Sequence, residues 1–582
     1  MVTSKDGLVA PARTWIGLVL LAVPVAVLAV AGWQRRWMAD DGMINVRVVH
    51  QVLAGNGLGF NAAERVEVTT STLWLWLLVL AQAVTPMSET SVLAVGLGWV
   101  LTLGGLVAGT LAGVLWYRDR GRGALLLPFG TLLVAMVPPV WDFTTSGLET
   151  GLTFAWIGCS LLALSWRLSA RPDLPAWRPL WVPVLIGLAP LVRPDLTLMG
   201  AIFGLALVLQ NPRRLSSWWA TLLAALVLPA AWQLFRMGYF ASLVPNTALA
   251  KAAGDAEWQR GTTYFLDLFG RYGLLLPGAL IALLVLARAL DTVLTGRDLG
   301  RTALALAPLV AAVLHGLYVI RVGGDFMHGR MLLPALFALA MAAPVVAVRL
   351  RSRVLVGAFA VVAVSSLVSG LFLRFPAFER WDEATGIADE RAYYLARIPS
   401  HRSVSVQDWQ GSGWYERGLE HRQAAAQGRS YYSDRTLRLP AAAGMGVITT
   451  EDNIGLTAVV AGTDVFMADR HSLADAVQSR MEVVPEPGSR VGHSTTPPDW
   501  RRARYAAPRV DDPPEVRAAR SALACGDLAE LQDAVSAPLT VERFWDNVAA
   551  APRLTFLDVP ADPVAARAAF CQPPGPGAAT RG

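Results

Sequence analysis

The apolar positions of this chain fall into long uninterrupted runs, and the polar positions collect in the short segments between them. A helix needs about 20 apolar residues to cross the hydrocarbon core of a bilayer, so these runs predict membrane spans. Two short runs flank Arg193, Pro194 and Asp195 and are expected to tilt or to enter only partly. The pattern predicts about eleven spans, which are Trp15 to Trp33, Ser91 to Tyr117, Ala124 to Trp141, Gly147 to Trp166, Leu180 to Val192, Leu196 to Leu209, Trp218 to Phe235, Gly273 to Leu290, Thr302 to Ile320, Met331 to Val348 and Val354 to Leu373.

One group of polar segments is rich in arginine, and the positive-inside rule places this group in the cytoplasm. All its members fall on one side of the membrane if Leu73 to Val84, with Trp74 and Trp76, lies along the outer interface and does not span. The first run is read as a retained helix because no small-residue cleavage site precedes Gln34. The arginine-rich segments are residues 118–123, 167–178, 211–214, 287–301 and 349–353.

After Leu373 the chain becomes polar, and the parity of spans places residues 374–582 outside the cytoplasm. Short β-rich runs predict strands at residues 446–450, 457–460 and 464–469, and residues 472–481 read as a helix, so a mixed α/β domain is expected. The chain therefore divides into a membrane domain, 1–373, and this domain, with a disordered tail from about residue 572. Tryptophan and tyrosine side chains of this region either stack on sugar rings or pack its core, at Trp409, Trp414, Tyr415, Tyr431 and Tyr432.

Composition supports a polytopic membrane protein: 54% of residues are hydrophobic, 16% are charged, and the mean hydropathy is +0.43. The net charge of +6 comes from arginines in short loops, so it indicates topology and not nucleic-acid binding. Of the three cysteines, Cys525 and Cys571 lie in the polar region, where they form either a disulfide or two free buried thiols. The chain has no Walker loop, Rossmann fingerprint or CxxC motif, and its histidines lack metal-ligand spacing.

An acidic pair, Asp40 and Asp41, follows the first span and precedes an amphipathic segment with Arg47 and His50 on its polar face. One aspartate can be the N-cap of that helix, and a capped carboxylate can still serve as a base. The rest of the outer loop, which ends at Thr72, is either a ligand-binding loop or a plain polar one. A divalent cation between the two carboxylates is left undecided, because such ions require more oxygen ligands.

A second polar segment, RVGGDFMHGR from Arg321 to Arg330, places cationic side chains and two glycines on the outer side, against the positive-inside rule. Its expected ligand is a phosphate at the membrane surface, although pairing with Asp325 or snorkelling to headgroups is the alternative. Candidate phosphate-binding residues are Arg321, His328, Arg330, Lys251 and Arg193. Candidate acceptor-binding or sugar-binding residues are His50, Arg65, Glu67, Glu149, Asp195, Asn246 and Asp325. His315, inside a span, reads as a helix-packing residue.

The stretch WQRRWMADDGMINVRVVHQVLAGNGLGFNAAERVEVTTST, with RVGGDFMHGR and GTDVFMADRHSLAD, resembles the AftB family of actinobacterial arabinofuranosyltransferases. These are polyprenyl-phosphate-dependent enzymes with the GT-C fold. The resemblance implies that decaprenylphosphoryl arabinofuranose is the donor and that the non-reducing ends of the arabinan in arabinogalactan and lipoarabinomannan are the acceptor. It also implies terminal β-(1→2) linkages and places Asp40 and Asp41 at the catalytic acidic position.

Because the resemblance implies a β-linked donor and a β-linked product, net retention is expected at the anomeric carbon. One aspartate would act as nucleophile or oxocarbenium stabiliser and the other would orient the acceptor. The expected location is the plasma membrane, with the site and the C-terminal domain facing the periplasm. The alternatives are a lipid-linked sugar transporter and a non-catalytic cell-wall scaffold, and the sequence leaves the roles of the two aspartates and the oligomeric state open.

Overall fold

The computed structural model describes residues 9–117, 124–170, 177–210, 215–251, 256–296, 299–349, 351–435, 437–482 and 495–571. The expected membrane architecture is present, because several of the described helices are long and apolar enough to cross a bilayer. The arginine-rich segments 118–123 and 211–214 and the predicted tail from residue 572 lie outside the described residues. The membrane-length helices of the described ranges number seven: Trp15–Gln34, Thr90–Trp116, Thr150–Ser169, Trp218–Phe240, Leu275–Leu294, Leu299–Arg321 and Arg353–Phe372.

The helices and strands up to residue 373 alternate between long apolar helices and short polar connections. Strands β1 (Leu125–Pro128) and β2 (Val345–Val348) pair antiparallel. Short 3₁₀ turns lie at Pro194–Leu196 and Arg330–Leu332. The helices are α1 (Val9–Gln34), α2 (Asp40–Leu53), α3 (Thr72–Val84), α4 (Thr90–Trp116), α5 (Gly130–Ala135), α6 (Pro138–Phe143), α7 (Thr150–Ala170), α8 (Trp181–Gly187), α9 (Ala189–Val192), α10 (Thr197–Leu209), α11 (Leu215–Phe240), α12 (Asn246–Ala250), α13 (Trp258–Phe269), α14 (Leu275–Leu294), α15 (Leu299–Arg321), α16 (Leu333–Ala342) and α17 (Arg353–Phe372).

Four of the eleven predicted spans are not continuous helices of membrane length. The run Ala124 to Trp141 is divided into β1, α5 and α6, and the run Met331 to Val348 becomes a 3₁₀ turn, α16 and β2. The two short runs beside Arg193 form α8 with α9, and a 3₁₀ turn with the 13-residue α10. Proline accounts for these breaks, because it lacks the amide hydrogen that an uninterrupted helix needs at that position. Helix α3 has 13 residues and is too short to cross, as expected.

The region after Leu373 is a mixed α/β structure, as predicted. Its sheet has the strand order β4 (Leu437–Leu439), β3 (Tyr431–Asp434), β5 (Val447–Glu451), β6 (Phe466–Asp469). Strands β3, β5 and β6 are parallel, and β4 is antiparallel to β3. A disulfide joins Cys525 to Cys571, whose Cα atoms lie 5.1 Å apart. The elements are α18 (Glu390–Leu395), α19 (Gly413–Ala426), β3 (Tyr431–Asp434), β4 (Leu437–Leu439), β5 (Val447–Glu451), α20 (Ile454–Ala461), β6 (Phe466–Asp469), α21 (Pro498–Tyr505), α22 (Pro514–Leu523), α23 (Gly526–Ser536), α24 (Val541–Thr555) and α25 (Pro563–Cys571), with 3₁₀ turns at Gln407–Trp409 and Gln478–Arg480.

Two local predictions in this region are wrong. Residues 457–460, predicted as a strand from their β-branched side chains, lie inside helix α20, which forms the crossover between the parallel strands β5 and β6. Residues 472–481, predicted as a helix, form turns and the 3₁₀ turn Gln478–Arg480. Tertiary packing overrides local propensity at residues 457–460, because a parallel pair of strands requires a crossover connection.

The buried apolar side chains of the membrane helices and of the C-terminal region form one contiguous cluster. It runs from Leu28 in α1 to Ala566 in α25. A smaller cluster, which includes Tyr432 and Tyr505, packs against the sheet. Trp409 and Trp414 lie 5.8 Å apart between ring centroids, and Trp409 is fully buried, so these aromatic residues pack the core.

Candidate active site

The acidic pair opens helix α2, and its two carboxylates face different surroundings. The N-cap position belongs to Ala39, so neither Asp40 nor Asp41 caps this helix and the capping prediction is wrong. Successive residues of a helix point about 100° apart, which turns the neighbouring side chains in different directions. Asp40 is buried, whereas the Asp41 side chain is 32% exposed. The two residues therefore cannot share one role.

Asp40 is bound to the first turn of α20 in the C-terminal region. Its carboxylate accepts hydrogen bonds from the backbone amides of Leu456, at 2.8 Å, and Gly455, at 3.1 Å. Burial raises the pKa of Asp40 to about 7, although these two amide donors lower it and thereby oppose the shift. A carboxylate at the amino end of a helix also interacts favourably with the helix dipole. Asp40 thus joins the two regions of the chain.

Arg47 holds the opposite end of α20. It lies seven residues after Asp40, on the same face of α2, and is fully buried. Its guanidinium donates to the carbonyl oxygens of Ala458, at 3.2 Å, Val465, at 2.9 Å, and Gly462. These carbonyls lie at or just beyond the carboxyl end of α20, where a cation is favoured. Arg47 was not among the residues predicted for the site, although its position seven residues after Asp40, on the same face of the helix, is a usable sequence signal.

Asp41 points instead toward Arg330, with its Oδ2 atom 3.8 Å from Nη1 of that arginine. Nη1 of Arg330 also lies 3.7 Å from Oδ2 of Asp325, and Nη2 lies 3.4 Å from Oε1 of Glu149. The Nε atom of Arg330 is buried and has no hydrogen-bond partner among the described residues. Since its contacts are long and one donor is unused, Arg330 can still bind an anion or a sugar oxygen.

A chain of ion pairs continues from Arg330 into the helix bundle. Glu149, directly before α7, accepts a hydrogen bond of 3.0 Å from Arg193, which also donates to Asp195 at 2.9 Å. His315 of α15 lies 2.8 Å from Asp195, so it is part of this network and does not merely pack helices. Burial alone would raise the pKa of Glu149, but Arg330 and Arg193 hold that pKa below its usual range. The residues that connect to Asp41 are Arg330, Asp325, Glu149, Arg193, Asp195 and His315.

His328 lies outside the Asp41 network, in a separate cluster with Asp267 and Tyr272. Its Nδ1 atom contacts Asp267, and its Nε2 atom lies 2.8 Å from the hydroxyl of Tyr272. Both ring nitrogens therefore have protein partners. Arg321 is exposed at the end of α15, and Lys251 follows α12; within the described residues neither contacts the Asp41 network. Of the predicted phosphate-binding residues, the structure brings only Arg193 and Arg330 to Asp41.

Four of the predicted sugar-binding residues contact other protein groups and lie outside the Asp41 network. His50 bonds to Thr90 at 3.2 Å, and Glu67 forms a buried salt bridge of 2.6 Å with Arg236. Arg65 donates to backbone carbonyl oxygens of Ala534 and Ala537, at 2.7 Å each, and Asn246 donates to those of Ser472, Leu473 and Asp475. Arg65 and Asn246 connect the segments that follow α2 and α11 to the C-terminal region. The other three predicted sugar-binding residues, Glu149, Asp195 and Asp325, belong to the Asp41 network.

The described part of the chain has no group of three or more His, Cys, Asp or Glu side chains arranged to hold a metal ion. The two oxygens of Asp40 accept backbone amide hydrogens, so they are not directed at a shared cation with Asp41. The donor set at the acidic pair therefore does not fit the two-carboxylate metal site that the sequence left undecided.

The fold and the charged network together define a multi-pass membrane protein, in which connections between the helices gather carboxylates and arginines beside an α/β region. Comparison with known proteins identifies the family. Residues 437–566 match the model of the AftB family C-terminal domain. Two relatives, both terminal β-(1→2)-arabinofuranosyltransferases, are 33% identical to this chain. The match with the Corynebacterium glutamicum protein covers 94% of this chain and 86% of that protein. The match with the Mycobacterium tuberculosis protein covers 92% of this chain and 94% of that protein.

The chain therefore belongs to the AftB family of terminal β-(1→2)-arabinofuranosyltransferases, and it is a membrane glycosyltransferase. This membership confirms the predicted glycosyltransferase over the transporter and scaffold alternatives. The structure confirms the predicted arrangement of membrane-length helices followed by an α/β region. Among solved structures, the chain is similar to ArnT from Cupriavidus metallidurans bound to undecaprenyl phosphate, with 16% identity and a TM-score of 0.43. That similarity covers 79% of this chain and 90% of the ArnT chain.

Proposed function

We propose that this enzyme transfers an arabinofuranosyl residue from decaprenylphosphoryl arabinofuranose to the non-reducing ends of arabinogalactan and lipoarabinomannan arabinan, and that the new linkage is β-(1→2). The names of the two relatives support the sugar and the linkage. The observation that carries the site assignment is the pair formed by the partly exposed Asp41 and by Arg330, whose Nε has no hydrogen-bond partner among the described residues; the two side chains are 3.8 Å apart. We place this site and the C-terminal region on the periplasmic side, because the arginine-rich loops favour the cytoplasm.

The charges around Asp41 suit the reaction better than they suit simple phosphate binding. Two arginines, Arg193 and Arg330, face four carboxylates in the network, those of Asp41, Glu149, Asp195 and Asp325. This excess of negative charge favours a sugar ring that becomes positively charged as its bond to phosphate lengthens. Arg330, with an unused donor, is the residue that we assign to the phosphate oxygens.

The separation of the two aspartates simplifies the mechanism. Because backbone amides occupy the carboxylate of Asp40, only Asp41 of the pair is placed to contact the substrate. In one retaining route, Asp41 attacks C1 and displaces the phosphate, and the acceptor hydroxyl then displaces Asp41 while the released phosphate takes its proton. In the other route, Asp41 stabilises the cationic sugar while the departing phosphate takes the proton of the acceptor hydroxyl, which bonds to C1 on the same face. Asp40 acts in both routes as a positioning residue.

The test compares Asp41→Asn with Asp40→Asn, each as the full chain in proteoliposomes. The substrates are a synthetic polyprenyl-phosphoryl arabinofuranose and an arabinan oligosaccharide. Asp41→Asn should lower kcat by about 10²-fold to 10⁴-fold with an unchanged melting temperature, since it removes the reacting carboxylate. Asp40→Asn should lower the melting temperature and retain more activity, because it perturbs the contact with α20. Full activity of Asp41→Asn would refute the assignment.

A further inference from the structure

Helix α24 of the C-terminal region packs across the carboxyl end of α11, one of the membrane-length helices. The ring of Phe544 lies against Gly238 so closely that a Cβ atom at that glycine would be 2.2 Å from it. The side-chain amide of Asn547 donates to the carbonyl oxygen of Gly238 at 2.9 Å. Further along, the backbone amide of Leu243 donates to the Thr555 hydroxyl at 2.8 Å. These contacts fix α24 at the level where α11 ends.

A second face of α24 is apolar and exposed. Val541 is 79% exposed, Trp545 is 54% exposed, and Phe556, directly after the helix, is 72% exposed. Ala549 and Pro552 are exposed as well. At 3.6 residues per turn these five side chains fall within an arc of about 80° along the whole helix. We call them the α24 stripe. Their regular spacing differs from the scattered single apolar residues that any protein surface shows.

The remaining exposed positions of α24 are charged and lie on one side of the stripe. They are Glu542, Asp546 and Arg553, and Arg553 forms an ion pair of 2.6 Å with Glu530 of α23. On the other side of the stripe lies Phe544, which contacts α11. The apolar stripe is thus bounded by the membrane helix on one edge and by charged groups on the other. Helices that lie in a bilayer interface have this arrangement.

We propose that the α24 stripe is a membrane-docking surface that inserts into the boundary between lipid headgroups and acyl chains around the end of α11. The occupant is lipid because the stripe continues an apolar surface: α11 is largely unburied, and its Leu234, one turn before Gly238, is exposed. Tryptophan favours this depth of the bilayer, where its ring is apolar and its N–H remains near water. The contact would hold the C-terminal region against the bilayer at a point distant in sequence from α2 and α20.

The test places a nitroxide spin label at single cysteines of the full chain in phosphatidylcholine nanodiscs, in a Cys159→Ser background. Ala549→Cys and Trp545→Cys probe the stripe, and Asp546→Cys is the matched control on the charged side. Labels at 545 and 549 should collide more with oxygen, which concentrates in lipid, than with a water-soluble nickel chelate, and the label at 546 should show the reverse preference.

Two results would overturn the proposal. If the labels at 549 and 546 show the same preference for the nickel chelate, the stripe faces water. If the label at 549 is shielded from both reagents, another protein surface covers it. Because Ala549 is small and exposed, its replacement keeps the test valid even if Trp545→Cys folds poorly.

Discussion

Gly455 offers the sharpest test of the contact between α2 and α20. It lies in the first turn of α20, and a Cβ atom there would be 1.9 Å from the backbone oxygen of Asp40. Helix propensity alone predicts that Gly455→Ala is stabilising by up to about 1 kcal/mol. Overpacking against backbone atoms, which cannot rotate away, costs about 3 kcal/mol, so Gly455→Ala should be destabilising by about 2 kcal/mol in total.

The assay is hydrogen–deuterium exchange of the α20 amides in the detergent-solubilised full chain. A loss of about 2 kcal/mol in the free energy of local opening corresponds to roughly 30-fold faster exchange. Gly446→Ala is the matched control, because a Cβ atom at Gly446 meets nothing within 4 Å. If Gly455→Ala exchanged as slowly as the wild type, the close approach of Asp40 to α20 would be refuted.

Two further predictions concern the site and its pH dependence. Arg330→Lys should lower kcat by at least about tenfold, because a compact ammonium lacks the planar fork with which Nη1 and Nη2 of Arg330 approach Asp41 and Glu149 separately. Arg321→Lys, outside the network, should leave kcat unchanged, and equal rates for both variants would contradict the assignment. The folded pKa of Asp40, about 7, exceeds the value near 4 expected when it is unfolded. Stability should therefore fall as pH rises from about 4 to 7, and the melting temperature of Asp40→Asn should depend less on pH over that range than that of the wild type. Equal dependence of the two melting temperatures on pH would contradict the burial of a titrating Asp40 carboxyl.

Much of the fold could be predicted because bilayer thickness imposes a minimum length on apolar helices. Seven of the eleven predicted spans are continuous helices, and the failures follow prolines such as Pro128, Pro138 and Pro194. Whether an apolar run with proline kinks, breaks or becomes a strand depends on neighbours that are distant in sequence. β1 pairs with β2 more than 200 residues away, for example, through the contact of Leu125 with Val348.

The candidate site was predictable in part. The outer polar loops indicated Asp41, Glu149, Arg193, Asp195, Asp325 and Arg330, and the structure connects these residues. The separation of Asp40 from Asp41 could not be predicted, because the amides that bind Asp40 belong to a segment predicted as loop and strand. His315 was read as a packing residue because its partner, Asp195, is 120 positions away. Sequence patterns reveal periodicity within an element, but they do not reveal which distant element it meets.

The contact between Asp40 and α20 also constrains the order in which parts of the chain can fold. The two partners are 415 residues apart in the chain. At a synthesis rate of about 5 to 20 residues per second, roughly 20 to 80 s pass between the synthesis of α2 and that of α20. During that interval Arg47 has no α20 carbonyls to bind, and Asp41 has no fixed orientation. The proposed reaction centre, although encoded near the beginning of the chain, is therefore among the last parts of the molecule to assemble.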